Sequence, residues 1–171
     1  MDIQIDSREK ARAIKKIVQT FEKEGVNYFS SKLLVGDYMN LDNPRVIIDR
    51  KQNLQELCGN VCQQHERFKR ELVKAMQANI QLIILVEHGP DVKSIEDVYF
   101  WQNPRKHQVR WKTVNGKKVK TVASAKAVDG CQLYKSLCTI RDRYNVDFVF
   151  CTKEQTGSKI VEILSNDSRG D

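Results

Sequence analysis

The stretch VGDYMNLDNPRVIIDRKQNL, from Val35 to Leu54, decides the fold of this chain. Its apolar run Val46–Ile48 is typical of a strand that enters a hydrophobic core. The run leads directly into Asp49, Arg50 and Lys51, and charges are costly to bury unless they are paired or bind a ligand. We therefore expect a functional site at the end of this strand.

A second acid lies earlier in the same stretch. Asp37 falls within a strand predicted over Val35–Leu41, and the next strand is predicted over Arg45–Arg50. The residues Asp42–Pro44 between them are typical of a turn. If this hairpin pairs the two strands, the carboxylates of Asp37 and Asp49 converge at one place on the sheet.

Two convergent carboxylates predict a site for a hard cation. Mg²⁺ or Mn²⁺ prefers oxygen ligands, keeps several waters and acts on phosphate substrates. Lys51 stands two residues beyond Asp49, so its side chain leaves the strand on the same face, where it can orient or deprotonate the attacking water. The alternative is that Asp37 and Asp49 pair with Arg50 and Lys51 at a surface, which contributes about 0 to 1 kcal/mol per pair.

The size and charge of the chain set its broad class. Its 171 residues, 40% of them hydrophobic, suffice for a core, and we expect a single domain over residues 1–171. Lys and Arg outnumber Asp and Glu by 29 to 22, and the net charge of +7 favours a polyanionic partner, nucleic acid first. Neither an apolar leader nor a membrane-spanning run occurs, so we expect no membrane association. The expected location is the cytoplasm, with DNA, or the nucleus of a eukaryotic cell.

Three possible metal ligands lie in the middle of the chain. Cys58, Cys62 and His65 would share one face of a helix and could reach one ion. A structural zinc site needs four ligands, and no matching Cys/His pair lies nearby in the sequence. Buried thiols are therefore the favoured interpretation of Cys58 and Cys62, with zinc as the alternative, and all five cysteines are expected to be reduced.

The rest of the chain alternates between strand and helix patterns. This alternation predicts an α/β domain with a mixed sheet. A carboxylate at Asp6 could cap the first helix. Outside the hairpin, strands are predicted at Asp2–Asp6, Val26–Ser30, Gln81–Glu87 and Val146–Cys151, and helices from near Ser7 to Gly25, at Leu54–Asn79, at Gln132–Tyr144 and at Gly157–Leu164.

A basic insertion is predicted between Val98 and Val128, where no Asp or Glu occurs. Its middle, VRWKTVNGKKVKTV, has an Asn-Gly pair between two alternating runs, which is a strong signal for a β-hairpin. With Trp101 and Trp111 among its cations, the segment favours a nucleic-acid-binding arm over the alternative, a solvated hairpin. The cations are Arg105, Lys106, Arg110, Lys112, Lys117, Lys118, Lys120 and Lys126.

Three short motifs occur in order, at Asp6–Glu9, Gly36–Tyr38 and Asp49–Lys51. They resemble the D-x-R-E, G-D-Y and E-R-K elements of the XPF-type branch of the PD-(D/E)xK nuclease superfamily, the excision-repair and Holliday-junction-processing endonucleases. The apolar run Gln81–Glu87 stands where that family has its next core strand, so the resemblance spans roughly Ile3–Glu87. It implies a restriction-endonuclease-like mixed sheet flanked by helices.

The resemblance also implies roles for individual residues. Asp37 and Asp49 would bind the metal together with the backbone carbonyl of Arg50, and Lys51 would activate the water. Asp49 departs from the family, which usually has Glu there. The shorter side chain would shift the position of the ion and change which metal the site prefers.

Further residues would act around this centre. Asp6 and Glu9 would act through water-mediated or indirect contacts. Arg8 would bind phosphate or form a structural ion pair, and Arg67 and Lys69 would contact DNA.

The implied activity is metal-dependent cleavage of branched, flapped or otherwise structured DNA. The alternative is a DNA-binding scaffold that keeps the nuclease fold without turnover. Little sequence follows Leu164, so the tandem helix-hairpin-helix module of many relatives has no room, which resembles a small stand-alone bacterial or phage form. A homodimer would pair through the face near Leu133, Leu137 and Ile140.

Overall fold

A computed structural model of the chain describes residues 1–122, 124 and 127–166. No helix in these ranges is long and apolar enough to cross a membrane. The strands are β1 (Asp2–Asp6), β2 (Asn27–Ser31), β3 (Tyr38–Asn40), β4 (Asn43–Lys51), β5 (Gln81–Glu87), β6 (Val109–Val114), β7 (Lys117–Val122) and β8 (Asp147–Cys151). The helices are α1 (Ala11–Lys23), α2 (Leu54–Cys62), α3 (His65–Gln77), α4 (Gly130–Tyr144) and α5 (Thr156–Ser165).

Six strands form one mixed sheet in the order β2-β1-β3-β4-β5-β8. Strand β3 is antiparallel to both β1 and β4, whereas β1 and β2, β4 and β5, and β5 and β8 pair in parallel. Buried side chains form one apolar cluster between the sheet and α1 and α5, and another between the sheet and α2, α3 and α4. The predicted α/β fold with a mixed sheet flanked by helices is confirmed.

Strand β4 divides its side chains between the two clusters. Ile47 packs with α2, α3 and α4, and Ile48 packs with α1 and α5. Because successive residues of a strand point to opposite faces, the side chains of Asp49 and Lys51 lie on the same face as Ile47. That of Arg50 lies on the same face as Ile48. The charged side chains at the end of β4 therefore lie on both faces of the sheet.

The hairpin that presents these charges is shorter than predicted. Strand β3 contains only Tyr38–Asn40, because Gly36 has a left-handed φ of +66° that interrupts the extended backbone. The turn contains only Leu41 and Asp42, and the predicted turn residues Asn43 and Pro44 already belong to β4.

The prediction of one helix over Leu54–Asn79 was wrong. Two helices, α2 and α3, occupy this segment, and Gln63 and Gln64 separate them. In an unbroken helix, His65 would fall on the same stripe as the buried Leu54, Cys58 and Leu72. The break leaves His65 exposed and lets α3 pack its own apolar face.

Two further interpretations of residues in or near helices can be compared with the structure. Asp6 does not cap α1, which begins at Ala11 after Lys10, because the Asp6 carboxylate is occupied by Arg8 and by the N–H of Leu33. Leu133 and Leu137 of α4 are fully buried in the protein's own core, whereas Ile140, the third residue of the predicted homodimer face, is half-buried.

The predicted basic β-hairpin is confirmed as a ribbon of β6 and β7, referred to below as the basic ribbon. Asn115 and Gly116 form its turn with φ values of 50° and 73°, as a two-residue hairpin turn with positive φ at both positions requires. Every side chain of the ribbon is exposed except that of Thr121, which is half-buried. Trp101 is instead buried in the core, and Lys126 lies outside the described residues.

We expect Gly36→Ala to destabilise the protein more than Gly25→Ala. Both glycines have a left-handed φ, of +66° and +67°, where a Cβ costs roughly 1–2 kcal/mol. At Gly36 a Cβ would also lie 2.6 Å from Ile47 Cγ2 and 2.9 Å from the Ile48 carbonyl oxygen, whereas at Gly25 it meets no described atom within 4 Å. Overpacking of this kind adds about 1–3 kcal/mol. Urea unfolding of both variants measures the difference, and equal losses would contradict close packing at Gly36.

Candidate active site

The β3–β4 hairpin brings Asp37 and Asp49 together. The backbone N–H of Asp37 donates to the Ile48 carbonyl at 2.7 Å, and its Oδ2 accepts the N–H of Arg50 at 2.8 Å. The pKa of Asp37 lies well above its usual range because burial disfavours the carboxylate and because Asp49 and Glu9 add negative charge nearby. The two acids therefore repel each other across a shared site.

Asp49 and Lys51 form a buried ion pair on the face of the sheet that packs against α2 and α3. Lys51 Nζ lies 2.7 Å from Asp49 Oδ1, and the two residues are only 7% and 3% exposed. Burial disfavours the ammonium, but the charges of Asp49 and Asp37 outweigh burial and raise the pKa of Lys51. The second oxygen, Asp49 Oδ2, is buried and has no hydrogen-bond partner among the described residues.

This donor set fits a hard divalent cation. A buried carboxylate oxygen without a partner is uncommon in native proteins and calls for an explanation, such as a bound ion or water. Within residues 1–122, 124 and 127–166, no three His, Cys, Asp or Glu side chains are arranged to hold an ion. Mg²⁺ nevertheless needs only one or two carboxylates, because it retains several waters and also binds substrate phosphate. Asp37 and Asp49 supply that number.

An open cavity of about 270 Å³ adjoins Lys51. The ring of Phe68 lies beside the ammonium, with its centroid 5.8 Å from Lys51 Nζ. Mostly polar side chains from α2 and α3 form the rest of the wall, so the cavity suits a polar ligand. It is lined by Lys51, Glu56, Asn60, Gln64, Arg67, Phe68 and Glu71.

Arg50 extends to the opposite face and joins a buried polar network. Its Nη1 donates to Glu87 Oε1 at 2.7 Å, and its Nη2 donates to Glu9 Oε2 at 3.0 Å. The hydroxyl of Tyr38 donates to Glu9 at 3.3 Å, and that of Thr156 donates to Glu87 at 3.1 Å. The network connects the end of β4, next to Asp49, to β3, to β5, to the start of α5 and to the loop after β1.

Asp6 supports the backbone of Asp37 instead of facing the acid pair. Its Oδ1 accepts from Arg8 Nε at 2.6 Å, and its Oδ2 accepts the N–H of Leu33 at 2.7 Å. Burial raises the pKa of Asp6, but these hydrogen bonds outweigh burial and lower it overall. The N–H of Asp6 donates to the Asp37 carbonyl at 2.8 Å. Arg8 makes the ion pair that was one of its two predicted roles, and its side chain stays 58% exposed.

Apart from Arg8, the cations predicted to bind DNA lie in three places. Arg67 and Lys69 are exposed on α3, and Arg67 reaches the cavity beside Lys51. Arg105 and Lys106 are half-buried before the ribbon, where Lys106 Nζ lies 3.2 Å from Asp129 Oδ2 and is thus partly neutralised. The basic ribbon exposes Arg110, Lys112, Lys117, Lys118 and Lys120.

The possible thiol ligands are not arranged as one site. Cys58 is buried, with its Sγ 4.0 Å from that of the exposed Cys62. Burial, and then the proximity of Cys62, raises the pKa of Cys58 to about 12, so without a metal this thiol stays protonated. His65 instead lies with its Nε2 2.9 Å from Glu66 Oε1.

Two acids of the site were missed by sequence reasoning. Glu71 lies on α3, accepts the Gly36 N–H at 3.4 Å and adds negative charge near Lys51. The sequence signal that could have found Glu71 is its spacing, because a residue four positions after Arg67 lies on the same face of a helix. Glu87 ends a buried apolar strand just as Asp49 does, so the pattern that singled out Asp49 could have found it.

Comparisons with known proteins agree with this architecture. The family model of the ERCC4 domain matches residues 5–164. The structure is similar to that of XPF from Aeropyrum pernix, with a TM-score of 0.63, 13% identity, and coverage of 99% of this chain and 66% of that one. It is also similar to XPF from Aeropyrum pernix in complex with DNA, with a TM-score of 0.61, 15% identity, and coverage of 98% and 68%.

These structural likenesses establish the fold, and the chain spans about two thirds of the XPF chains it matches. None of the curated proteins matches the sequence. The resemblance to XPF-type nucleases that the three motifs predict is confirmed by the family model, whose match over residues 5–164 spans all three motifs. The chain belongs to the ERCC4 domain family.

Proposed function

We propose that this protein is a metal-dependent endonuclease that hydrolyses phosphodiester bonds in branched, flapped or otherwise structured DNA. The observation that supports it most is the unpartnered oxygen of Asp49, held beside Asp37 and beside an ammonium on the same carboxylate. Because the Lys51 ammonium bonds only to Oδ1, Oδ2 is available to a metal ion. Membership of the ERCC4 family and the DNA complex of a structural relative favour DNA as the substrate.

Asp37 and Asp49 would hold Mg²⁺ or Mn²⁺, with the backbone carbonyl of Arg50 as a further ligand. An ion of this kind lowers the pKa of a bound water and neutralises negative charge on phosphate. Lys51 holds its ammonium against Asp49 and directs its remaining N–H groups at the attacking water or at a phosphate oxygen. As the water oxygen gives its proton to solvent and bonds to phosphorus, the bond from phosphorus to the leaving oxygen breaks and the leaving oxygen takes a proton from solvent, while Lys51 stabilises the charge that develops.

The neighbouring residues keep this centre in place. Glu9 holds Arg50, Asp6 holds the backbone of Asp37, and both therefore act without touching the reacting phosphate. Arg67 opens onto the cavity beside Lys51 and would bind the DNA backbone there, and the exposed Lys69 follows two residues further along α3. The basic ribbon adds a second cationic surface. A homodimer stays a prediction. Leu133 and Leu137 are buried within the chain and would not form its contact surface.

The proposal is tested by incubating the protein with flapped, forked, four-way and linear duplex DNA in Mg²⁺ or Mn²⁺, with and without chelator. We expect cleavage of the branched substrates and its complete loss with chelator. Lys51→Ala should abolish cleavage while DNA affinity stays within about threefold, because the lysine acts in the transition state whereas many contacts share the binding energy.

The matched control is Lys23→Ala, which removes an exposed lysine from the end of α1 and should cleave as the wild type does. Wild-type protein that binds branched DNA and cuts none of it would support the inactive scaffold instead. Full cleavage by Lys51→Ala would remove this lysine from the mechanism.

A second prediction concerns the basic ribbon as a DNA-binding arm. Changing Lys117, Lys118 and Lys120 together to Ser should weaken DNA binding at least ~10-fold at moderate salt and reduce the slope of log affinity against log salt by about two to three units. Each phosphate contact adds about 0.9 to that slope. Cleavage at saturating DNA should change little, because the ribbon contributes no residue to the acid pair.

The control changes Lys15, Lys16 and Lys23 on α1 to Ala, which removes the same charge from an exposed helix and preserves its helix propensity. If the control and the ribbon variant flatten the salt slope equally, net charge and not the ribbon governs binding. An unchanged slope in a folded ribbon variant would identify the ribbon as a solvated hairpin.

A further inference from the structure

The two faces of the basic ribbon differ in chemistry. Because side chains alternate along a strand, every second residue of β6, with its cross-strand partner on β7, belongs to one face. One face contains Val109, Trp111, Thr113, Lys118, Lys120 and Val122, and we name it the tryptophan face. The opposite face contains Arg110, Lys112, Val114, Lys117, Val119 and Thr121, and we name it the arginine face.

Trp111 is the largest side chain on the tryptophan face, and it is 67% exposed. It stands directly opposite Lys120, with Val109 and Val122 as the adjacent cross-strand pair. No aromatic ring in the described part of the chain packs against it. The other tryptophan, Trp101, is 9% exposed and contributes to the core, so only Trp111 is available to a ligand.

The charge around Trp111 selects the kind of ligand. From Val109 to Val122 the chain has five cations and no acid. A protein partner is disfavoured, because the cores of protein interfaces are depleted in lysine. Nucleic acid instead offers phosphate for the cations and a flat ring for the indole, and a base stacked on an aromatic side chain contributes about 1–3 kcal/mol.

We propose that Trp111 stacks on an unpaired base of the bound nucleic acid, while Lys118 and Lys120 on the same face contact the adjacent phosphates. This inference rests on the proposed DNA-binding function and specifies which part of the substrate the ribbon contacts. Within a duplex, neighbouring base pairs already cover both faces of each base. Away from duplex ends, only a single-stranded flap, a gap or the branch itself presents a free base to an exposed indole.

The ribbon thereby distinguishes substrates that contain unpaired bases from uninterrupted duplex. Phosphate contacts alone cannot do so, since both kinds of DNA present phosphates. Trp111 is a specificity-determining residue in this arrangement and takes no part in the chemistry at Asp37 and Asp49.

The test combines tryptophan fluorescence with binding to a single-stranded oligonucleotide and to a blunt duplex of the same length. The difference between wild-type and Trp111→Phe emission isolates Trp111, and we expect single-stranded DNA to quench it strongly and duplex DNA to leave it nearly unchanged. In fluorescence anisotropy, Trp111→Ala should weaken single-strand binding about tenfold, and Trp111→Phe by less, since a phenyl ring still stacks. Duplex affinity should change less than about twofold, because phosphate contacts remain.

The matched control is Val114→Ala, which removes a half-exposed apolar side chain from the arginine face and should leave both affinities unchanged. Equal quenching by both DNAs, or single-strand affinity that survives Trp111→Ala, would overturn the stacking while leaving the endonuclease proposal intact. A wild-type protein that binds neither these DNAs nor branched DNA would overturn both. Circular dichroism of each variant checks that the protein is folded.

Discussion

The repulsion between Asp37 and Asp49 is the constraint on which the rest of the site depends. Burial and the charge of Asp49 together raise the pKa of Asp37, so the pair is unfavourable unless positive charge compensates it. Lys51 supplies part of that charge through one oxygen of Asp49, and the other oxygen is left without a described partner. An arrangement that costs stability in the absence of a ligand is typical of a functional site.

The fold holds this pair by fixing the backbone on both sides of it. Asp37 is hydrogen-bonded to β4 through its own N–H and its carboxylate. Gly36 packs so closely against β4 that there is no room for a Cβ. On the opposite face of the sheet, Arg50 forms ion pairs with Glu9 and Glu87. Since a buried ion pair contributes little net stability by itself, we interpret this network as positioning the end of β4.

The alternation within Val46–Lys51 was enough to predict which side chains share a face, because strand geometry allows only one answer. The two-residue turn of the basic ribbon was predictable because Asn-Gly favours positive φ. Glu71 and the break between α2 and α3 were not predicted, since both depend on how the helix packs against the sheet. Trp101 was misplaced for the same reason: its segment has the composition of the ribbon, but tertiary packing draws it into the core.

A calorimetric titration with Mn²⁺ shows directly whether Asp37 and Asp49 form a cation site. The wild-type protein should bind the ion, and Asp49→Asn should bind it at least ~10-fold more weakly, because an amide is a poorer ligand for a hard cation than a carboxylate. Asp147→Asn, which alters an exposed acid on the edge strand β8, should bind as the wild type does. Identical isotherms for the wild type and Asp49→Asn would contradict the account.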